Sequence, residues 1–171
     1  MRLQRSTADE TFGRKPKGFT LVEVMVVVVI IGLLAAAGLP SYRHLTMRSK
    51  VTAIENDLRQ FTTAAQTYAL QNGRWPADSA PQVPPTELAS ALPNNFTLKT
   101  PFGGVYKWCS GGDVDGVPAK VGIAVLSVTG NVVNDDVDLL TMLDRQMDDG
   151  NLETGTIQVG STNSVVFIIE K

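Results

Sequence analysis

The chain has 171 residues, 43% hydrophobic and 19% charged, with a formal net charge of −2. This composition excludes both a disordered chain and a wholly membrane-embedded one, and it suits one membrane-anchored domain with a modest core. The charge is uneven: Arg2, Arg5, Arg14, Lys15 and Lys17 against Asp9 and Glu10 give residues 1–18 about +3, leaving about −5 for the rest. An acidic body lacks the broad basic footprint that phosphate neutralisation demands, so nucleic acid is not expected as a main partner.

The first element is Phe19 to Leu39, a run of 21 residues in which Glu23 is the only charge. As a helix it spans roughly 30 Å, the thickness of a hydrocarbon core. A plain signal anchor is one account of it, although Arg43, Arg48, Lys50 and Arg59 behind it offset the leader's basic residues and leave its orientation unset. A secretory signal peptide is another, with Leu21–Leu34 as apolar region and Ala35, Ala37 and Gly38 as a small-residue cleavage site. Neither has a use for Glu23, because a charge inside an apolar helix costs about 2.5 to 3.5 kcal/mol at the centre and less near an end.

The string KGFTLVE, followed by the apolar run and Pro40, resembles the N-terminal signature of type IV pilins and of the related pseudopilins of type II secretion. The resemblance implies a leader, residues 1–18, removed by a prepilin peptidase between Gly18 and Phe19, with N-methylation of the new amine on Phe19. Glu23 and Pro40 then fall where the family pattern places its charged residue and its proline, and the leader is somewhat long. The physical sense is direct. Cleavage leaves a charged amine on Phe19, and Glu23 of a neighbouring subunit can neutralise it when helices assemble side by side. Removing one member of a buried pair typically costs about 3 to 5 kcal/mol.

Beyond Pro40, residues 40–72 carry an apolar stripe of Val51, Ile54, Leu58, Phe61, Ala65 and Tyr68, stepping by three and four, which predicts an amphipathic continuation of the helix. Gly73 is its expected stop, giving a helix on the order of 80 Å. Gly32, Gly38 and Pro40 predict a kink near the end of the apolar segment. Pilin helices bend or melt near this proline, so the resemblance implies a role in assembly, while general tolerance of Gly and Pro in membrane helices is the bland account. The stripe covers fewer than three heptads, which favours packing on the chain's own sheet over a coiled coil.

Residues 73–171 read as a globular domain. Arg74 to Pro93 is a surface loop with a short helical turn over Thr86 to Leu92, capped by Thr86. Strands are expected at Phe96 to Thr100, Val105 to Cys109, Gly122 to Val128 and Val165 to Ile169. One sheet face should bury Val105, Trp108 or Tyr106, Ile123, Val125 and Phe167. Asp136 to Met147 predicts a short amphipathic helix. The fold class is therefore α+β: a long N-terminal helix, half transmembrane and half amphipathic, on a small antiparallel sheet, pilin-like.

Chemistry is sparse. Cys109 is the one cysteine and His44 the one histidine, so no intrachain disulfide, thiolate cluster or multi-histidine site can form. No nucleophile elbow or phosphate loop is present, and no enzyme is expected. Cys109 reads as an inert core thiol. Asp113 with Asp115, Asp135 with Asp136 and Asp138, and Asp148 with Asp149 are acidic clusters, none with EF-hand spacing. Major pseudopilins bind calcium in a C-terminal loop, so the resemblance makes Asp148, Asp149, Asn151 and Glu153 a candidate calcium site beside the alternative of solvated turns.

The function expected is a structural subunit of a type II secretion pseudopilus or type IV pilus-like filament. Within the family it resembles, a C-terminal disulfide is common in major type IV pilins, so its absence implies the pseudopilus. Expected partners are other pilin-like subunits, the prepilin peptidase, the inner-membrane assembly platform with its ATPase, and the membrane. The protein is expected in the inner membrane as a single-pass chain with its C-terminal domain in the periplasm. A membrane-tethered periplasmic binding module is the alternative from another class.

Overall fold

The computed structural model describes residues 18–171, apart from the side chains at 38–41 and 134. In chain order it contains α1 (Leu21–Asn72), 3-10 turns at Thr86–Leu88 and Asn94–Thr97, β1 (Val105–Ser110) and β2 (Val121–Leu126). A third 3-10 turn (Val133–Asp135), α2 (Val137–Met147), β3 (Ile157–Val159) and β4 (Val165–Glu170) follow. The strands form one antiparallel sheet in the order β1-β2-β4-β3. A long N-terminal helix with a small antiparallel sheet is the α+β, pilin-like architecture expected.

The chain divides into two units at Ser41 and Tyr42. In the first, residues 18–37 are exposed at every position, and those from Leu21 onward are helical. Valine, isoleucine and leucine point outward all round, which is the signature of a helix whose solvent is lipid or other helices rather than water.

In the second unit, from Tyr42, the predicted stripe is the buried face of α1: Val51, Ile54, Leu58, Phe61 and Ala65 are at most 2% exposed. The helix stops at Gly73, which takes a left-handed conformation (φ +69°) while its N–H donates to the Ala69 carbonyl at 2.8 Å. That is the helix end for which glycine is suited. Onto the stripe fold Tyr106 and Trp108 of β1, Ile123 and Val125 of β2, Val165 of β4 and Leu139, Leu140 and Leu143 of α2. Phe61 stands at the centre, edge-on to Phe96 at 5.1 Å and to Tyr106 at 4.9 Å between ring centroids. The Tyr106 hydroxyl donates to Asp57 Oδ2 at 2.8 Å, and Asn95 donates to the other oxygen. Asp57 thus anchors β1 to α1 from the rim of the stripe.

Several expectations are corrected. Both Tyr106 and Trp108 face α1, as the two-residue period of a strand requires, whereas Val105, although buried, is outside that cluster. Residues 96–100 form no strand: Asn94–Thr97 is a 3-10 turn begun after Pro93, and Lys99 makes only an isolated bridge to Val105. Phe96 is apolar because it fills the core from a turn. The Thr86–Leu88 turn follows Pro85 and has no side-chain cap. The amphipathic helix starts one residue late because Asp136 is its cap, accepting from Leu139 N–H at 3.1 Å.

The opposite sheet face holds a second small cluster of Cys109, Val114, Val117, Ala119, Ala124, Val166 and Ile168. Its cover, the 111–119 loop, is fastened by Asp115, whose carboxylate accepts from Thr162 N–H, Thr162 Oγ1 and Ser164 Oγ. Because Phe61 joins three elements, Phe61→Ala should lower the unfolding free energy of the full chain by about 3 to 5 kcal/mol in denaturant titration. A cost below about 1 kcal/mol would contradict this packing.

Candidate functional site

The head of α1 is built by its own sequence. Thr20 Oγ1 accepts the Glu23 backbone N–H at 3.2 Å, making Thr20 the N-cap and Glu23 the third helical residue. Thr-x-x-Glu is the spacing of a capping box, a signal that sequence analysis passed over. It holds Glu23 in the first turn, where the exposed N–H groups of the helix favour an anion. Phe19 precedes it, 82% exposed. Among the described residues Glu23 has no ion-pair partner. Gly32 lies in α1 with open space where a Cβ would stand. The side chains of Gly38 and Pro40 fall outside the described residues.

A second feature lies where α2 ends. Asp144 is wholly buried, and neither carboxylate oxygen has a hydrogen-bond partner of normal geometry; the Gly150 and Asn151 N–H groups face it only closely enough to offset part of its burial. Oxygens of Asp144, Asp148 and Asp149 lie within 4.8 Å of one another. Asp148 Oδ2 accepts from Thr156 N–H. Asp149 accepts from Asn151 N–H and Thr154 Oγ1, each at 2.8 Å. Gly155 is needed for this approach: its φ is +77°, and a Cβ there would stand 1.9 Å from Asp148 Oδ2. Of the four residues proposed from the sequence, Asp148 and Asp149 belong to the cluster. Asn151 supplies its N–H to Asp149 and its Oδ1 to Glu153 N–H, and the Glu153 side chain stays exposed outside the three. Asp144 was missed, although it lies four residues before Asp148, the spacing that brings helical side chains together.

Burial, reinforced by Asp149 and Asp148, pushes the Asp144 carboxyl up to about 6. Hydrogen bonds from Asn151 and Thr154 hold Asp149 below the usual carboxylate range. At Asp115 burial pushes upward, but the bonds from Ser164 and Thr162 outweigh it and the result is lowered. Burial raises the Cys109 thiol, consistent with an inert core residue.

The comparisons with known proteins concern the first feature. Residues 13–39 match the family model described as prokaryotic N-terminal methylation motif. The fimbrial protein EcpC of Eikenella corrodens is 44% identical over 64 residues, 37% of this chain and 42% of that protein. The type IV major pilin protein PilE1 of Neisseria gonorrhoeae is 40% identical over 63 residues, 37% and 38% of the two chains. A fimbrial protein of Pseudomonas aeruginosa is 39% identical over 66 residues, 39% and 43% respectively. The chain thus matches about two fifths of the length of these relatives. No solved structure matches it. A long apolar N-terminal helix followed by a small antiparallel sheet defines a pilin-like protein. The matches make the N-terminal part of the chain similar to type IV pilins.

The two groups of carboxylates respond to pH with opposite sign. Asp115, lowered in the fold, contributes stability that is complete above the unfolded range near about 4 and is lost as pH falls through its folded value. Asp144, raised in the fold, imposes a cost that is full above about 6 and is relieved as pH falls toward the unfolded value. Asp144→Asn in the presence of EDTA should therefore raise the melting temperature at pH 7 and weaken its rise between about pH 6 and 4. An unchanged or lower melting temperature at pH 7 would contradict the buried, unpaired carboxylate.

Proposed function

We propose that the protein is a structural subunit of a type IV pilus-like or type II secretion filament. The observation that carries this is Glu23, the lone charge of the exposed apolar segment that opens α1, lying within the matched motif. In this account a prepilin peptidase cleaves after Gly18 and Phe19 is N-methylated. Phe19–Leu39 then holds the subunit in the inner membrane with residues 73–171 in the periplasm. Helices assemble when Glu23 of one subunit meets the Phe19 amine of another, with Gly32, Gly38 and Pro40 permitting the helix to bend, and an assembly platform and its ATPase drive extraction. The relatives are named as pilins and fimbrial proteins, which supports a structural role over a catalytic one.

A tethered binding module would be indifferent to Glu23. Glu23→Ala should remain in the membrane fraction yet be lost from sheared filaments, because the Phe19 amine would be left unpaired at a cost of about 3 to 5 kcal/mol. Filaments with wild-type content of the variant would overturn the pairing.

The Asp144 geometry favours a second proposal, that the loop binds calcium. Three carboxylates supply a hard cation with oxygen ligands, and carbonyls and water complete the shell. Asn151 and Glu153 stand at its rim. Millimolar calcium should raise the melting temperature of the wild type and leave Asp144→Asn unmoved, since a ligand bound only by the folded state stabilises it. Equal shifts in both proteins would exclude Asp144 as a ligand.

A further inference from the structure

The outer edge of β1 is only half paired. Hydrogen bonding alternates along a strand, so Val105, Lys107 and Cys109 turn their N–H and C=O groups to β2, while Tyr106, Trp108 and Ser110 turn theirs outward. Two groups on each of three residues make six. Residues 77–82 lie over this edge as a strap and meet three of them. Gln82 N–H donates to the Tyr106 carbonyl at 2.8 Å, Ser79 N–H donates to the Trp108 carbonyl at 3.2 Å, and Asp78 Oδ1 accepts from Ser110 N–H at 3.3 Å. Among the described residues, the Tyr106 and Trp108 N–H groups and the Ser110 carbonyl receive no partner from the strap.

The strap is poorly suited to complete the pairing. Pro81 lies within it, and proline has no N–H to give a ladder. Gln82 holds its bond at φ +61°, a conformation that residues other than glycine adopt at a cost. Ser79 Oγ is buried without a partner. The flanks are fixed and the middle is not: Pro76 and Pro85 are buried, whereas Ala77, Asp78 and residues 80–83 are exposed. Beneath it, β1 is held separately, because the Tyr106 and Trp108 side chains belong to the core against α1. The strap can lift while the strand stays.

A β1 strand from a second copy would meet all six groups. With the two strands antiparallel and Trp108 opposite its own mate, Tyr106 faces Ser110, and each outward group finds its complement. Lys107 then stands opposite Cys109. The neighbouring register, with Tyr106 opposite Trp108, leaves Ser110 unpaired and sets Lys107 against Lys107, a pairing of like charges that is destabilising. We propose that residues 77–82 are a removable guard, and that the edge they cover pairs with β1 of a second copy in the Trp108-centred register. The surface lies wholly within the folded unit from Tyr42 onward and does not depend on the filament reading.

The test is residue-resolved amide hydrogen exchange on the full chain in detergent, with association followed by analytical ultracentrifugation. In the wild type, the Ser79 and Gln82 amides should exchange on the order of a hundredfold faster than those of Lys107 and Cys109, through opening of the strap alone. Equal rates would overturn a removable guard. Asp78→Ala with Ser79→Pro removes two of the three strap contacts, and Gln82→Pro removes the third, because proline has no N–H and cannot adopt φ +61°. Each variant should form a concentration-dependent dimer in which the Tyr106 and Trp108 amides exchange on the order of tenfold more slowly than in the wild type. Variants that remain monomeric would overturn the pairing, as would dimers that leave these two amides unprotected, the result expected of association through the apolar segment. Retained protection at Lys107 and Cys109 shows that the sheet is intact; where a variant loses it, the wild-type comparison decides.

Discussion

A carboxylate inside an apolar helix is the constraint on which the account of this protein turns. Glu23 is fixed in the first turn of α1 by the Thr20 cap, and the surrounding side chains are apolar and exposed. Neither lipid nor the chain's own described residues supply its countercharge. In the proposed filament a cation from another molecule would relieve the cost, so that the residue that makes the isolated segment unfavourable would make association favourable. The cap and the charge together explain why Thr-Leu-Val-Glu opens the segment.

The folded unit solves a different problem, covering a small sheet on both faces. On one side the α1 stripe and α2 bury Tyr106, Trp108, Ile123 and Val125; on the other a loop closes over Cys109, Ala124, Val166 and Ile168. Polar clasps set both covers in register, Asp57 with Tyr106 on the helix side and Asp115 with Thr162 and Ser164 on the loop side. The outer edge of β1 is shielded by residues 79–82, whose Ser79 and Gln82 N–H groups donate to Trp108 and Tyr106 carbonyls, which blunts an edge that could otherwise recruit another strand. Among the described residues with buried polar atoms left unpartnered, Asp144 alone is ionisable, and that marks the loop after α2 as more than a connection.

Much of this was legible in the residues. The stripe from Val51 to Tyr68, the stop at Gly73 and the acidic start of α2 are local signals with a period or a cap behind them. Strands β1, β2 and β4 carry enough β-branched and aromatic residues to show themselves. What escaped depends on tertiary placement. Phe96 looks like a strand residue but is buried from a 3-10 turn, because packing against Phe61 outweighs local preference. Strand β3 has three residues, too few for alternation to register. In the candidate sites, Glu23 was visible by its incongruity, whereas Asp144 sat unremarked among the polar positions of an amphipathic helix. Only the fold reveals that it is buried beside Asp148 and Asp149.

The measurement that bears most directly on the Glu23 account is intact and N-terminal peptide mass spectrometry of the chain recovered from its native membrane, because the amine that Glu23 requires exists only if the leader is cut. The account predicts a mature chain beginning at Phe19 and carrying one N-methyl group. A chain beginning at Met1, or near Gly38, would contradict it and leave Glu23 without its counterpart.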